Sequence, residues 1–470
     1  MNETKRLIKN TGIIAIGSMS TKVISFLLLP LYTALLSASE YGDFDYIISV
    51  CTFALPFITF LMEEGIFRFL LDCKTSQEKK EVITVGSVLV CTGTLAFGLI
   101  CAIVFCFIDY QYTVYFILYT ISCVGCAILN PFLRGTGNVK GYAVFHFLLS
   151  AATIILNVLF IAVFRWGLKG MLLATIIAHY VITLIFAIRV KILSYISLKT
   201  FNKPKLIEML KYSIPLIPNK ISWSIINLCD RIMLMHMVGS SATGLYAIAY
   251  KFPNMMDMVY GFFYQSWKES SARVLETDTA DEFYNYIYKC LKRVLFAIVA
   301  VMVAFMPLAF KILIDESYIE ALQYVPILLI ATYYANISGF YGGIFTAYKQ
   351  TKIMGTTTIV AALINLSINI VAIWKFGIYA AAMSTLISNF VVYVYRKIKV
   401  KKYINLEESI GETVISWGIL AVILILFYIN SITSLCVACT VAILLAVILN
   451  KEMIRQVWSS VVVNKLKSKG

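Results

Sequence analysis

Lys22, Lys220, Asp230, Arg231 and Lys251 are ionisable side chains inside long apolar stretches of this 470-residue chain. At the centre of a helix surrounded by hydrocarbon, each such charge costs about 2.5–3.5 kcal/mol on the insertion scale, and the five together about 12–17 kcal/mol. That exceeds the stability of most folded proteins. They must therefore face a wet cavity, pair with one another, or snorkel to an interface. Helix geometry groups them further. Eleven residues turn a helix by about 1100°, only ~20° from a whole number of turns. Lys220 and Arg231 thus share a face, with Ser224 and Asn227 between them, and Thr11 shares a face with Lys22, with Ser18 and Ser25 nearby. Lys251 and Gln265 lie within ~40° of each other. A cationic, hydrogen-bonding lining built from Lys22, Lys220, Asn227, Arg231, Lys251 and Gln265 suits an anion such as phosphate or pyrophosphate. The plainer alternatives are that Lys220 snorkels, that Arg231 pairs with Asp230 or an acidic neighbour, and that the Lys251 amine is capped by carbonyls.

Other chemistry-bearing residues form weaker patterns. Glu63, Glu64 and Arg68 close an apolar stretch, as a gate network or simply a solvated end. His146, His179 and His236 have no metal-ligand spacing and read as satisfied interface histidines. Cys123-x-x-Cys126 and Cys436-x-x-Cys439 have redox or metal spacing, but sit in apolar helices without histidine partners and read as packing residues. No catalytic constellation, metal site or phosphate-binding glycine loop is found, so no cofactor is expected and nucleotide on this chain drives nothing. Coupling to H⁺ or Na⁺ stays open, with Asp230 able to carry a proton.

The elements that position these residues follow from composition. Hydrophobic residues make up 60% of the chain and charged residues 14%, against about 45–50% and about 25% in soluble domains. Fourteen stretches are long and apolar enough to cross a bilayer: 12–36, 44–67, 82–108, 113–133, 142–164, 170–189, 212–237, 244–267, 290–313, 321–347, 354–374, 378–396, 410–429 and 433–450. With the amino terminus in the cytoplasm, 32 of the 40 basic residues fall in cytoplasmic segments, 4 in outer segments and 4 within spans. The alternation never breaks, so both termini are expected in the cytoplasm. The net charge of +15 then faces anionic membrane lipids rather than nucleic acid. The first stretch is expected to remain as a span rather than be cleaved.

A weak duplication runs through the chain. Lys9 to Gly42 resembles Lys211 to Gly244 at an offset of 202. Phe164-Arg165-Trp166-Gly167-Leu168 resembles Trp374-Lys375-Phe376-Gly377-Ile378 at an offset of 210. Six spans is an even number, so the halves insert in the same orientation, the parallel-repeat arrangement used for alternating access. The expectation is an all-α integral membrane protein of about fourteen transmembrane helices: two parallel-related six-helix lobes plus two C-terminal helices. The lobes are 1–190 and 212–402, joined by a cytoplasmic linker at 191–211 and followed by the last two spans and a cytoplasmic tail at 403–470.

Several short runs carry a family resemblance: Ser39-Glu40-Tyr41-Gly42, Gly65-Ile66-Phe67-Arg68-Phe69, Asp230-Arg231-Ile232-Met233-Leu234 and Gly244-Leu245-Tyr246-Ala247-Ile248-Ala249-Tyr250-Lys251. The best stretch is Ile364-Asn365-Leu366-Ser367-Ile368-Asn369 with Phe376-Gly377-Ile378-Tyr379-Ala380-Ala381-Ala382. In this order the chain resembles the polysaccharide repeat-unit flippases (Wzx-type transporters) of the multidrug/oligosaccharidyl-lipid/polysaccharide exporter superfamily. The resemblance implies a multi-pass protein of the bacterial plasma membrane. It implies movement of undecaprenyl-pyrophosphate-linked oligosaccharide from the cytoplasmic to the outer leaflet, for capsule, O-antigen or exopolysaccharide, with polymerase and export machinery as partners. Arg231 and Lys251 match the basic positions of its motifs. Lys22 and Lys220 rest on helix geometry alone. Alanine at Arg231 or Lys22 is expected to abolish surface polymer at unchanged abundance.

Three other readings compete. A cation-coupled drug antiporter of the same superfamily would want a buried carboxylate in the first lobe, where acidic residues stand only at span ends. A lipid II flippase differs only in the sugar. A membrane polymerase or ligase would need a large outer loop, and the longest outer segment is 311–320.

Overall fold

The sequence Ser37-Ala38-Ser39-Glu40 starts a helix two turns before the hydrophobic run that follows it. Ser37 accepts from the Glu40 N–H and Glu40 from the Ser37 N–H, a capping box satisfying two orphan donors. In this computed structural model, which describes residues 26–107, 109–275 and 280–455, short α1 (Leu29–Leu35) leads into this helix, α2 (Ala38–Thr59). The side chains of residues 219, 222, 223, 226, 227, 265, 269, 272, 273 and 351 are not described. Phe60 and Leu61 both adopt left-handed backbone (φ 53° and 50°) and separate α2 from α3 (Met62–Asp72), so that Glu63 and Glu64 begin a new helix. Then come α4 (Ser76–Phe107), α5 (Thr113–Gly135), α6 (Val139–Asn157, continued by a π turn to Val163), α7 (Gly167–Arg189), α8 (Lys203–Ser213) and α9 (Ile217–Met237). The rest are α10 (Ser240–Val274), α11 (Ala280–Leu313), α12 (Val325–Ala347), α13 (Thr351–Phe376), α14 (Ile378–Val400), α15 (Ile410–Ile429) and α16 (Ile432–Leu449).

Eleven helices among the described residues are long and apolar enough to span a membrane. The expected first span begins outside the described residues. The seventh and eighth coincide with α9 and α10, which are long enough to cross but carry Lys220, Asp230, Arg231 and Lys251. The fold is the all-α, multi-pass architecture expected. Its outer surface is apolar where lipid should be: on α4, Leu95, Leu99, Ile103 and Phe107 form an exposed stripe at four-residue spacing.

The chain divides into two compact units between Gly244 and Leu245. By sequence α9 opens the second repeat, but it packs along α2 and so belongs with the first unit. The core of that unit joins Met62, Ile66 and Leu70 of α3 to Ile83 and Val85 of α4, Leu133 of α5, Phe145 of α6, Phe186 of α7 and Met209 of α8. Segment 191–211 is thus no bare connector: two 3₁₀ turns and α8 fold back onto α3 and α4. The two aromatic-basic turns of the repeat share a φ of 54° at Gly167 and Gly377, although Arg165 is left-handed (φ 55°) and Lys375 is still helical. Glycine enters that region without the penalty a Cβ would bring. In the second unit, buried Ala361, Ala362, Asn365, Asn369 and Ile373 make a stripe along α13 that packs on α14. The Asn365 amide donates to the Ser384 hydroxyl at 3.1 Å and accepts from Asn369 one turn on, so Asn365 acts as interhelical glue.

Polar contacts fasten the last two helices to the second unit. Arg293 of α11 grips Glu412 of α15 with two nitrogens at 2.8 and 2.7 Å. Lys289 reaches Glu407 at 2.8 Å in a far more exposed setting. The bidentate pair should matter more. Glu412→Ala is expected to lower the thermal stability of the purified protein by about 1 kcal/mol and Glu407→Ala to leave it unchanged. Equal melting curves for the two variants would contradict this ranking.

Candidate functional site

α2 and α9 run antiparallel and build one polar seam inside the first unit. At its head, the first turns of α2 and α10 cross at a pair of small residues spaced by four, Ala38/Gly42 and Ser240/Gly244. A Cβ at Gly42 would stand 1.8 Å from the Ser240 carbonyl oxygen, and one at Gly244 would stand 1.9 Å from that of Ala38. The contact is reciprocal, and Gly42 and Gly244 are the residues the repeat offset of 202 equates. Ser39 and Ser240 share a hydroxyl–hydroxyl hydrogen bond beside it. Lower down, the Tyr46 hydroxyl meets His236 Nε2 at 3.0 Å with the rings edge to face.

At the centre of the seam, Arg231 Nε lies 2.6 Å from Asp45 Oδ2. The two atoms are in ionic contact without the alignment of a hydrogen bond. Arg231 is buried, and Asp230 beside it almost completely so. At the foot, the exposed Lys220 lies within electrostatic reach of Glu63 on α3, and Ser224 between it and Arg231 is buried. Four of the expected site residues, Arg231, Asp230, Lys220 and Glu63, therefore lie along this seam. Lys22 lies outside the described residues, and the side chains of Asn227 and Gln265 are not described. Lys251 is half-buried on α10 in the second unit. Arg68 is exposed and pairs with Asp72 at 2.7 Å, one turn along the same helix.

Glu63 and Glu64 also line an open cavity of about 370 Å³ between α2, α3, α5, α6 and α7. Asn130 and Arg134 of α5, Tyr142 of α6 and His179 of α7 complete its polar wall. The Arg134 guanidinium lies over the Phe67 ring at 4.4 Å and near that of Tyr142 at 5.7 Å. Cys123 and Cys126 line the same space as free thiols, and Cys126 contacts Thr183 at 3.3 Å and His179 at 3.9 Å. Among the described residues, no cluster of three His, Cys, Asp or Glu could hold a metal ion.

Three features were not drawn from the sequence. Asp45 looks like a span-end residue when the span is begun at 44, yet the readable capping box at Ser37 and Glu40 puts it two turns inside α2. Arg134 directly follows an apolar stretch and reads as a loop cation, and no one-dimensional signal places it in a cavity with His179. Arg396, which also reads as a loop cation, is buried in the second unit, donating to Thr357 Oγ1 at 3.0 Å and the Ser338 carbonyl at 2.9 Å.

The profile of a family described as "Polysaccharide biosynthesis protein" matches residues 7–267, more than half of the chain. The chain belongs to that family. No curated protein matches the sequence. Among solved structures, the lipid II flippase MurJ in an inward closed conformation aligns with a TM-score of 0.69 and 13% identity, covering 94% of this chain and 99% of that one. An inward-facing multidrug resistance MATE family transporter aligns with a TM-score of 0.68 and 13% identity, covering 81% and 95%. A superfamily transporter from Pyrococcus furiosus, described as having a binding pocket of reverse polarity, aligns with a TM-score of 0.54 and 15% identity over 84% and 95%. At such identities the likeness is one of fold. The chain is thus a member of the polysaccharide biosynthesis family with the multi-pass, all-α fold that these solved transporters share.

Proposed function

We propose that this polysaccharide biosynthesis protein flips undecaprenyl-pyrophosphate-linked oligosaccharide repeat units from the cytoplasmic to the outer leaflet of a bacterial plasma membrane by alternating access, with both termini cytoplasmic. The observation that carries the reading is the buried Arg231 on α9, set in a family whose match covers that helix. A buried guanidinium in contact with a carboxylate can exchange it for a diphosphate, which presents more negative charge and likewise offers pairs of oxygens to the guanidinium fork. Lys22, Lys220 and Lys251 are the further cations proposed for the headgroup, with Asn227 and Gln265 for hydrogen bonds. Coupling to H⁺ or Na⁺, with Asp230 as proton carrier, belongs to the same proposal, as does delivery to a polymerase.

The test is leaflet exchange in proteoliposomes containing the purified protein and a fluorescent undecaprenyl-pyrophosphate oligosaccharide, followed by chemical quenching of the outer leaflet. Protein-dependent exchange of this lipid is expected. Exchange of lipid II alone would assign the chain to peptidoglycan precursors, and extrusion of a cationic dye alone would make it a drug antiporter. Either result overturns the proposal.

A further inference from the structure

The cavity inside the first unit is separate from the Asp45–Arg231 pair, and its lining is chemically mixed. Two carboxylates, Glu63 and Glu64, share it with the guanidinium of Arg134, and no ion pair joins Arg134 to either glutamate among the described contacts. Glu63 Oε2 and Asn130 Oδ1 are buried acceptors without a hydrogen-bond partner. Leaving such atoms unsatisfied costs about 1–3 kcal/mol each, so a ligand bringing hydroxyl donors gains from meeting them. Arg134 supplies donors of its own from a plane fixed by the rings of Phe67 and Tyr142. The remaining wall is apolar.

An inorganic cation fits poorly, because Arg134 repels it and no three-ligand metal cluster occurs among the described residues. A phosphate fits poorly as well, since two carboxylates face it. A neutral ring that carries hydroxyls on its rim and C–H bonds on its faces meets every part of this lining. The volume, about 370 Å³, is at the lower end of the range for small-molecule sites.

We infer that the cavity formed by Glu63, Glu64, Asn130, Arg134, Tyr142 and His179 binds one neutral pyranose ring of a saccharide. This rests on the proposed cargo being a lipid-linked saccharide, and assigns one of its sugars a place within the first unit. Glu63 and Asn130 accept hydroxyl protons, Arg134 donates to ring or hydroxyl oxygens, and the apolar wall covers a C–H face.

Two native thiols in the wall report occupancy. Cys123 and Cys126 line the cavity and are half-buried, and Cys436 is exposed and serves as the reference. The full-length protein in nanodiscs is alkylated with N-ethylmaleimide, with modification followed peptide by peptide, in the presence of glucose, galactose or N-acetylglucosamine. Mannitol and sodium chloride serve as separate controls. Protection of Cys126 by at least one of the sugars is expected, about threefold at twice the dissociation constant, with Cys436 unaffected. Asn130→Leu, which replaces an acceptor by an apolar group of similar size, is expected to abolish the protection. Glu63→Gln provides a second variant should the first fail to accumulate. Protection by sodium chloride rather than sugar, equal protection by mannitol, or none with any sugar overturns the inference. A protein that exchanges the lipid-linked saccharide yet shows no sugar protection loses only this site, whereas sugar protection without lipid exchange leaves the site and removes the flippase.

Discussion

Alanine at Gly42 or at Gly244 is expected to remove most of the protein from the membrane. In an ordinary helix, glycine to alanine stabilises by up to about 1 kcal/mol, so loss here would reverse the usual sign. The cause is the crossing of α2 with the start of α10. The added Cβ at Gly42 would meet the Ser240 carbonyl oxygen at 1.8 Å, and that at Gly244 the Ala38 oxygen at 1.9 Å. Real Cβ contacts begin near 3.0 Å, so the helices must part by roughly 1.2 Å at the point of closest approach. The obstructing atoms are backbone, so no rotamer change relieves them. Overpacking typically costs about 1–3 kcal/mol, and rigid backbone places this case at the upper end or beyond. Parting the helices would also pull Ser39 from Ser240 and disturb Tyr46 and His236 below. Gly98 and Gly355, whose added Cβ would meet nothing within 4 Å, are the controls. Fluorescent-fusion size-exclusion profiles of the four alanine variants decide the matter. Wild-type yield of both crossing variants would mean that the close approach is dispensable.

That crossing also marks what could be read from the chain. The repeat offset of 202 equates Gly42 with Gly244, which touch, and the offset of 210 equates Gly167 with Gly377, which share φ of 54°. At Gly42 and Gly244 close backbone contact leaves no room for a Cβ, and at Gly167 and Gly377 a positive φ favours glycine, so the constraint is written in residue type and survives in one dimension. Hydrophobic length was equally legible, because crossing a bilayer imposes it on each helix separately. Pairing was not. Asp45, in ionic contact with Arg231, lies 186 positions earlier in the sequence, and that contact depends on how α2 and α9 pack. The cavity of Glu63, Asn130, Arg134 and His179 was illegible for the same reason: five helices supply its wall, and none shows alone that it does. Arg134 and Arg396 share a further lesson. A cation at the end of a span counts toward orientation whether it faces water or folds back into protein, so a correct topology count says nothing of where the side chain goes.

The Asp45 pair changes what substitution at Arg231 should do. With Arg231 taken as a lone cation in a wet cavity, alanine there removes export and leaves abundance intact. Paired at 2.6 Å and buried, it should do both kinds of damage, because removing one partner of a buried pair strands the other at a cost of about 3–5 kcal/mol. Arg231→Ala is therefore expected to abolish surface polymer and to lower membrane abundance several-fold. Arg231→Lys should keep abundance near wild type and restore part of the polymer, since charge survives and the bidentate fork does not. The double variant Asp45→Asn/Arg231→Gln separates the two roles. It replaces the ion pair by neutral groups of similar size that can still hydrogen-bond, so neither charge is stranded and abundance should recover. Export should not recover, because no guanidinium remains to take a diphosphate. The measurement is immunoblotted membrane protein beside quantified surface polymer in a strain lacking its own flippase. Full polymer from the double variant would reduce Arg231 to a fastener between α2 and α9, and the headgroup would have to be held elsewhere.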